Sequence, residues 1–364
     1  MNWRIGLILV LALFPSFGQA ADQTVGGVTP GVGTPVPGTP IAGGDGIGPV
    51  DTVATLTGPD SVNDTLARYN VAGTDLGHSF EHDGALYMVF GDTFGPDQTD
   101  WRSNVMAVTT DDDPSDGLTF DRMIEDRPGH AKELIAQEAV PGDEVTIIPT
   151  YGIAVGDRMV LHYMAVSYWG LPGHWDLSQS GLAYSDDGGE NWTVDPAATW
   201  PADTNFAQVA FVERDGWIYA FGIPGGRFGG VALARVQPAS ILDLSAWEYW
   251  DGATWVPGDA TAAVINPAPI GELSVRWNSY YGKWLMMYLN EDTYSIVLRT
   301  ADELTGPWTE ERTVVSGEDF PALYAPFIPA RWNDGPEIYF TMSLFGPYNV
   351  YLMQTSLTDI MASS

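Results

Sequence analysis

The sequence contains no cysteine in its 364 residues. This absence excludes disulfide bonds, thiolate metal sites, a cysteine nucleophile and a lipid anchor on cysteine. The folded part of the chain must therefore be stabilised mainly by a hydrophobic core. With 45% hydrophobic and 12% aromatic residues, a chain of this length is large enough to build one.

Basic residues are also scarce, since 15 Lys and Arg stand against 47 Asp and Glu and give a net charge of −32. Because phosphate would be repelled, this charge argues against nucleic acid and anionic membranes as partners and favours a neutral substrate. The five His show no metal-ligand spacing, so neither a zinc site nor a required cofactor is predicted. The acidic turns leave Ca²⁺ open as a structural ion, with no residues to assign to it.

Long apolar runs are absent except near the N-terminus, where Ile5–Phe14 is too short to span a bilayer. Arg4 precedes this run, and the small residues of Gly18-Gln19-Ala20 follow it before Ala21. This order of features is typical of a secretory signal peptide. The sequence therefore predicts a secreted or periplasmic protein with no membrane-spanning segment.

Three segments are predicted from the change in composition along the chain. Residues 1–20 form the signal peptide, and residues 21–50 form a Gly/Pro/Thr-rich linker with few large apolar side chains. Residues 51–364 form a single catalytic domain, which we expect to be monomeric.

From residue 70 onward, apolar and aromatic runs of four to eight residues alternate with turns rich in Gly, Asp, Asn and Pro. Long helical periodicity is scarce, and the best helix candidate is 129–138. A strand, a turn and an aromatic-rich strand recur about five times, with spacings that suit four-stranded blades better than the strands of a β-sandwich, the alternative fold. The sequence thus predicts an all-β, five-bladed propeller. The five repeats have their turns at 82–84, 155–157, 214–216, 279–282 and 333–335.

Two or three repeats carry a second turn signature, of which Arg299–Trp308 is a looser version. Ser185–Trp192 reads Ser-Asp-Asp-Gly-Gly-Glu-Asn-Trp and fits the Asp-box turn of propellers. In such turns the carboxylate and hydroxyl satisfy turn amides while the Trp packs between blades. Asp187 and Trp192 are therefore predicted to be structural rather than chemical.

Two Asp residues in the first repeat are each placed among glycines, in Gly73-Thr74-Asp75-Leu76-Gly77 and in Phe90-Gly91-Asp92-Thr93-Phe94-Gly95. A hairpin that turns at Asp83-Gly84 would put Asp75 and Asp92 on facing strands. Glycine permits the close backbone approach that a crowded site needs. The alternative is that both are ordinary turn carboxylates that cap backbone amides.

These two motifs resemble a family of bacterial five-bladed propeller hydrolases, the endo-D-arabinanases, formerly catalogued as a domain of unknown function. The segments Glu272–Asn278 and Tyr324–Pro329 are similar as well, and the resemblance extends from about residue 60 to the end. It implies retaining hydrolysis of α-linked D-arabinofuranosyl bonds, with Asp92 as nucleophile and Asp75 as acid/base. Two carboxyl groups about 5–5.5 Å apart suit retention, whereas about 6.5–9.5 Å suits inversion.

Seven further residues are predicted to bind substrate, each with a structural role as the alternative. They precede or enter predicted inner strands or carry groups that suit sugar hydroxyls, and Trp101, Trp169 and Trp175 are added as candidates for stacking on sugar rings. The seven are His78, Glu144, Tyr151, Asn205, Gln208, Glu272 and Tyr324.

The leading hypothesis is a secreted glycoside hydrolase that cleaves α-D-arabinofuranosyl linkages in an arabinan or related polysaccharide. One alternative is a non-catalytic carbohydrate-binding propeller, which needs aromatic residues but no pair of acids. Another is a hydrolase of a different furanoside or of a sialoside. A sialidase-like enzyme requires an arginine cluster and a tyrosine nucleophile, which a strongly acidic chain with few arginines disfavours.

Overall fold

The computed structural model describes residues 35–140, 142 and 144–360. The predicted signal peptide, residues 1–20, lies outside this part of the chain, as does the linker up to residue 34. Five antiparallel sheets account for about half of the described residues. The prediction of an all-β, five-bladed propeller is confirmed.

Each blade is an antiparallel meander whose first strand lines the central channel, except that the outermost strand of blade 5 comes from the start of the chain. Blade 1 contains β2 (Gly73–His82), β3 (Ala85–Phe94), β4 (Val105–Thr109) and β5 (Arg122–Met123), and it is followed by a small hairpin of β6 (Glu125–Arg127) and β7 (His130–Ala131). Blade 2 contains β8 (Thr146–Val155), β9 (Arg158–Trp169), β10 (Trp175–Ser185) and β11 (Thr193–Pro201).

The remaining blades follow the same order from the channel outward. Blade 3 contains β12 (Gln208–Arg214), β13 (Trp217–Ile223), β14 (Gly229–Val236), β15 (Glu248–Trp250), β16 (Trp255–Pro257) and β17 (Val264–Ile270), which pairs with β14. Blade 4 contains β18 (Leu273–Asn278), β19 (Lys283–Asn290), β20 (Ser295–Ala301) and β21 (Arg312–Ser316). Blade 5 contains β22 (Leu323–Phe327), β23 (Glu337–Leu344), β24 (Asn349–Ser356) and β1 (Asp51–Thr55).

The described part contains one short α-helix, α1 (Thr65–Tyr69), and several single turns of 3₁₀ helix. The 3₁₀ turns span Pro96–Gln98, Pro114–Asp116, Gln137–Ala139, Pro238–Ser240, Leu244–Ala246 and Asp259–Thr261. Within the described residues, no helix is both long enough and apolar enough to cross a membrane.

The helix predicted at 129–138 is wrong. Its start is strand β7, and only the 3₁₀ turn at its end is helical. The buried side chain of Asn104 accepts hydrogen bonds from the backbone N–H groups of Leu134 and Ile135, both at 2.9 Å. Because these amides are bonded to a side chain of blade 1, they are not available for helical bonding.

The ring is closed by strands from the two ends of the described chain. Strand β1 pairs antiparallel with β24 and becomes the outer strand of blade 5. Upstream of it, Ile41 forms a bridge with Val50, and Ile47 forms a bridge with Leu357. Ile47 and Val50 are buried, so the packed part of the chain begins before residue 51.

The meander topology determines which loops surround the channel mouth. Since neighbouring strands alternate in direction, the loop between the second and third strand of a blade lies at the same end as the start of its first strand. We call this end the upper face. It carries the starts of β2, β8, β12, β18 and β22 together with the loops 95–104, 170–174, 224–228, 291–294 and 345–348.

The Asp-box turn of blade 2 has the predicted structural role. One carboxylate oxygen of Asp187 accepts from the Ser185 hydroxyl at 2.8 Å and from the Asn191 backbone N–H at 2.9 Å, and the other accepts from the Asn191 side-chain amide. Trp192 packs beside the apolar cluster that blades 1 and 2 share.

Replacing Asp187 with Ala should therefore destabilise the propeller without touching the upper face. Loss of three hydrogen bonds to an exposed carboxylate is expected to reduce the free energy of unfolding by about 1 kcal/mol. Urea denaturation of the purified protein would measure this loss. Asp186→Ala is the matched control, because the neighbouring Asp186 makes only an exposed ion pair with Arg158. Equal losses in the two variants would contradict the structural role of the turn.

Candidate active site

Asp75 and Asp92 lie side by side at the upper end of blade 1. Strands β2 and β3 pair from His82 and Ala85 outward, which confirms the predicted turn at Asp83-Gly84. Near the mouth the register shifts twice, so Asp75 faces the stretch that contains both Gly91 and Asp92. A β-bulge of this kind redirects side chains that regular pairing would send to opposite faces.

Gly91 gives the first carboxylate its space. A Cβ atom at this position would lie 2.5 Å from Asp75 Oδ1, which is closer than real Cβ contacts come. The glycine thus allows the side chain of Asp75 to lie directly over the backbone of the neighbouring strand. That placement brings the carboxyl group of Asp75 close to that of Asp92, the residue after Gly91.

Two residues next to the mouth have a strained backbone. Leu76, which follows Asp75, has φ 68°, and Ala325, which follows Tyr324, has φ 53°. Side chains with a Cβ rarely adopt this left-handed region, and it costs on the order of 1 kcal/mol or more per residue. Such strain concentrates at functional sites, where the surrounding structure holds a particular side-chain direction.

The two oxygens of Asp75 have different environments. Oδ2 accepts hydrogen bonds from the hydroxyls of Tyr324, at 2.9 Å, and Tyr348, at 3.1 Å. Oδ1 is buried and has no hydrogen-bond partner among the described residues. A buried acceptor without a partner is costly when it is charged, which favours the protonated acid.

Asp92 is held by neighbours from two blades. Its Oδ1 accepts from the Thr146 hydroxyl at 2.7 Å and from the indole N–H of Trp101 at 2.9 Å. Both are donors, so both stabilise the ionised carboxylate. The predicted stacking residue Trp101 therefore also holds the candidate nucleophile.

Burial is the largest cause that raises the pKa of both acids, and for Asp75 the charge of Asp92 adds to it. Together, burial and the charge of Asp92 raise the pKa of Asp75 to about 7. Burial raises the pKa of Asp92 to about 6, against the hydrogen bonds from Thr146 and Trp101. Near neutral pH the pair therefore holds about one proton, with the proton favoured on Asp75.

An ion-pair network borders the other side of Asp75. Arg227, in the upper loop of blade 3, contacts Glu272 at 2.8 Å and Glu291 at 3.1 Å. Its guanidinium also lies over the ring of Tyr324, 5.0 Å from the centroid. The two carboxylates raise the pKa of Arg227 further above its already high ordinary value, so it remains charged.

Three of the predicted binding residues lie at this mouth. Tyr324 is bonded to Asp75, and the charge of Glu272 adds to the raised pKa of Asp75. Gln208 and Glu272 line one small cavity among the inner strands. The sequence placed all three at the starts of inner strands, and that is where they are.

Two other predicted binding residues lie at the outer rim. Glu144 accepts a hydrogen bond from Ser178 of β10 at 2.8 Å. Asn205 is half-buried in the turn before β12, and the described residues show no hydrogen bond between it and either Asp.

The structure places His78 and Tyr151, both predicted to bind substrate, inside the channel rather than at its mouth. Both side chains are 0% exposed, and their rings stack with 5.3 Å between centroids. Together with Phe211, Arg276 and Phe327 they fill the channel, one side chain from each inner strand. Burial lowers the pKa of His78 to about 3, so it stays neutral in the floor of the site.

Sequence reasoning missed Tyr348, Thr146 and Arg227. Tyr348 and Arg227 come from the upper loops of blades 5 and 3, and Thr146 is the first residue of β8. Thr146 and Tyr348 reach the acids from other blades, and Arg227 reaches Tyr324 from another blade, so no local pattern in the sequence indicates these contacts. The one usable signal was the place of these residues in the strand order, because all three lie where the chain returns to the upper face.

No group of three or more His, Asp or Glu side chains suited to a metal ion occurs among the residues that the structure describes. The channel mouth is instead built from one acid pair, phenol and indole donors, and the Arg227 network.

Comparisons with known proteins agree with this architecture. The family profile described as "Domain of unknown function (DUF4185)" matches residues 60–354. A curated relative, the Notoamide biosynthesis cluster protein J of Aspergillus sp. (strain MF297-2), is 31% identical over 302 residues, covering 76% of this chain and 80% of its own.

Two solved structures illustrate the similarity in fold. A GH43_1 enzyme from Xanthomonas citri is 16% identical with a TM-score of 0.52, over 86% of this chain and 94% of its own. An exo-beta-1,3-galactanase from Phanerochaete chrysosporium is 9% identical with a TM-score of 0.51, over 83% and 63%. At these identities the likeness establishes the propeller fold alone.

Asp75→Asn should stabilise the protein at high pH. Because the folded pKa of about 7 exceeds the ordinary 3.8, ionisation opposes folding, and stability is lost as pH rises from about 4 to about 7. The neutral amide avoids this loss and should gain about 1–3 kcal/mol at about pH 8. Urea denaturation at about pH 4 and about pH 8 would show a gain only at the higher pH. The exposed Asp157→Asn serves as control, and a pH-independent difference for Asp75→Asn would contradict the raised pKa.

Proposed function

The chain belongs to the DUF4185 family, and we propose that it is a secreted glycoside hydrolase that cleaves α-D-arabinofuranosyl linkages in an arabinan with retention of configuration. The observation that carries this proposal is the acid pair at the channel mouth. Asp75 and Asp92 lie side by side, both partly desolvated, with pKa values of about 7 and about 6.

The unequal pKa values give the two acids separate roles. Asp92 loses its proton first, and its donors Thr146 and Trp101 both bond Oδ1, which leaves Oδ2 for attack on the anomeric carbon. Asp75 keeps its proton and gives it to the leaving glycosidic oxygen. Asp75, now a carboxylate, then takes a proton from water, which attacks the glycosyl–Asp92 ester and regenerates both acids.

The two tyrosines support Asp75 in both states. Burial, with the charge of Asp75 second, raises the pKa of Tyr324 and Tyr348 well above the ordinary value, so both remain neutral phenols. A neutral phenol donates a hydrogen bond that stabilises the carboxylate formed after proton transfer. The same raised pKa disfavours tyrosine as a nucleophile, and Arg227 is already paired with two carboxylates, which together argue against a sialoside substrate.

A neutral glycan suits the surroundings of the mouth. The chain carries a net charge of −32, which repels anionic polymers. The upper loops present aromatic surface for sugar rings, including the stacked side chains of His174 and Phe228, 4.3 Å between centroids. Structures with this fold include proteins described as a GH43_1 enzyme and an exo-beta-1,3-galactanase. The choice of arabinan follows the two Gly-flanked Asp motifs, which resemble those of endo-D-arabinanases.

Substitution of either acid should abolish or strongly reduce arabinan cleavage. Asp92→Ala removes the nucleophile and should lower kcat/KM by about 10³-fold or more. Added azide should then restore turnover of an activated arabinofuranoside and yield a glycosyl azide of inverted configuration. With Asp75→Ala, azide should give the retained product instead, because the nucleophile is still present.

The azide products and binding data separate the alternatives. If Asp92→Ala gave the retained azide and Asp75→Ala the inverted one, Asp75 would be the nucleophile and Asp92 the acid/base. Wild-type protein that binds arabinan but releases no oligosaccharide on prolonged incubation would make it a carbohydrate-binding propeller. Product analysis on D-arabinan, L-arabinan and a galactofuranan would identify the sugar.

The pH dependence should follow the pair. Activity requires an ionised Asp92 and a protonated Asp75, so kcat/KM is expected to fall below about pH 6 and above about pH 7. The plot of kcat/KM against pH is therefore expected to be a narrow bell with its maximum between these two pH values. Measuring kcat/KM across this range would check it, and a plateau extending well above neutral pH would rule out Asp75 as the acid.

A further inference from the structure

A small cavity lies among the inner strands beside Leu76, the residue that follows Asp75. It has a volume of about 20 Å³ and is lined by Leu76, Gln208, Val209 and Glu272 among others. The charge of Glu272 acts on both Asp75 and Tyr324. The cavity therefore adjoins the position where a sugar contacts Asp75, and its volume accommodates one water-sized group.

Glu272 presents an unused acceptor in this region. The residue is 8% exposed, and its Oε1 is bound by the Arg227 guanidinium. Its Oε2 is buried and has no hydrogen-bond partner among the described residues. An unpaired carboxylate oxygen in a buried position carries a substantial cost unless a donor fills the space next to it.

Arg227 is the ion-pair partner of this carboxylate. It links Glu272, at the start of blade 4, to Glu291 in the upper loop of the same blade. The ion pair fixes Oε1 on the loop side, while Oε2 stays free. The matching donor is a hydroxyl group, because a second cation would not fit a cavity whose walls are largely apolar.

We propose that this cavity receives one secondary ring hydroxyl, on C2 or C3 of the sugar that is cleaved, and that Glu272 Oε2 accepts its hydrogen bond. The inference rests on the proposed function and assigns Glu272 a specificity role, with Arg227 as its positioning residue. The exocyclic C5 oxygen is excluded, because the polymer continues from it and a cavity of this volume has no room for a further residue.

Deoxy substrates test the assignment. The probes are a defined arabinofuranosyl oligosaccharide and its derivatives that lack the 2- or the 3-hydroxyl on the cleaved residue. Wild-type protein should cleave either the 2-deoxy or the 3-deoxy derivative with kcat/KM about 10- to 100-fold below the parent, the value of one hydrogen bond to a charged group. Glu272→Gln should lower kcat/KM on the parent and bring parent and derivative to within about 3-fold of each other.

Glu291→Gln is the matched control. It also removes one of the two carboxylates of Arg227, but Glu291 does not line the cavity, so discrimination between parent and derivative should persist. Val209→Ile adds one methyl group to the cavity wall without touching Glu272. It should also weaken discrimination, and it provides the test if Glu272→Gln does not fold.

The outcomes separate the two proposals. Equal cleavage of the parent and both ring-deoxy derivatives by wild-type protein would overturn the cavity assignment while the hydrolase stands. The cavity assignment would also be overturned if Glu272→Gln and Val209→Ile both preferred the parent over its deoxy derivative as strongly as wild-type protein does. If wild-type protein cleaves none of the parent oligosaccharides, it is the proposed function that fails.

Discussion

Two carboxyl groups placed together away from bulk water cannot both be charged at low cost, and the upper face of this propeller is organised around that constraint. Gly91 makes the close approach of Asp75 and Asp92 sterically feasible. Donors from several blades then give the two acids different surroundings. Asp92 accepts from an indole and a hydroxyl, whereas Asp75 accepts from two phenols. The asymmetry that glycoside chemistry needs is thus a property of the whole ring, because no single blade contains all the donors.

The features that sequence reasoning predicted are those that short segments determine. The Asp-Gly turn of blade 1 and the Asp-box turn of blade 2 depend on residues a few positions apart, so turn chemistry was sufficient to predict both. Counting outward from one hairpin turn was also sufficient to pair Asp75 with Asp92. The roles of these acids in catalysis remain predictions, as do export and the preference for arabinan.

The features that the sequence did not predict have a common physical origin. His78 and Tyr151 were correctly placed on inner strands, but depth along a channel depends on how side chains from five separate strands pack against each other. The helix predicted at 129–138 does not form because the buried amide of Asn104, about thirty residues upstream, bonds the backbone N–H groups of 134 and 135. Tyr348 lies far from Asp75 in sequence and meets it only when the ring is complete, and Arg227 likewise meets Tyr324, the other partner of Asp75. Contacts of this kind leave no periodic trace in a single sequence.

Ring closure by β1 and β24 has a consequence for the order in which the protein can be made. Strand β1 leaves the ribosome before the inner strands of all five blades, whereas its partner β24 is synthesised after every other strand of the ring. Until then the early strand has an unpaired edge, and Asp75 lacks the tyrosines that arrive with blade 5. Whatever blades form earlier, the acid pair acquires its complete surroundings only once blade 5 has been synthesised, so a chain interrupted before blade 5 would carry the acids without the tyrosines that bond Asp75.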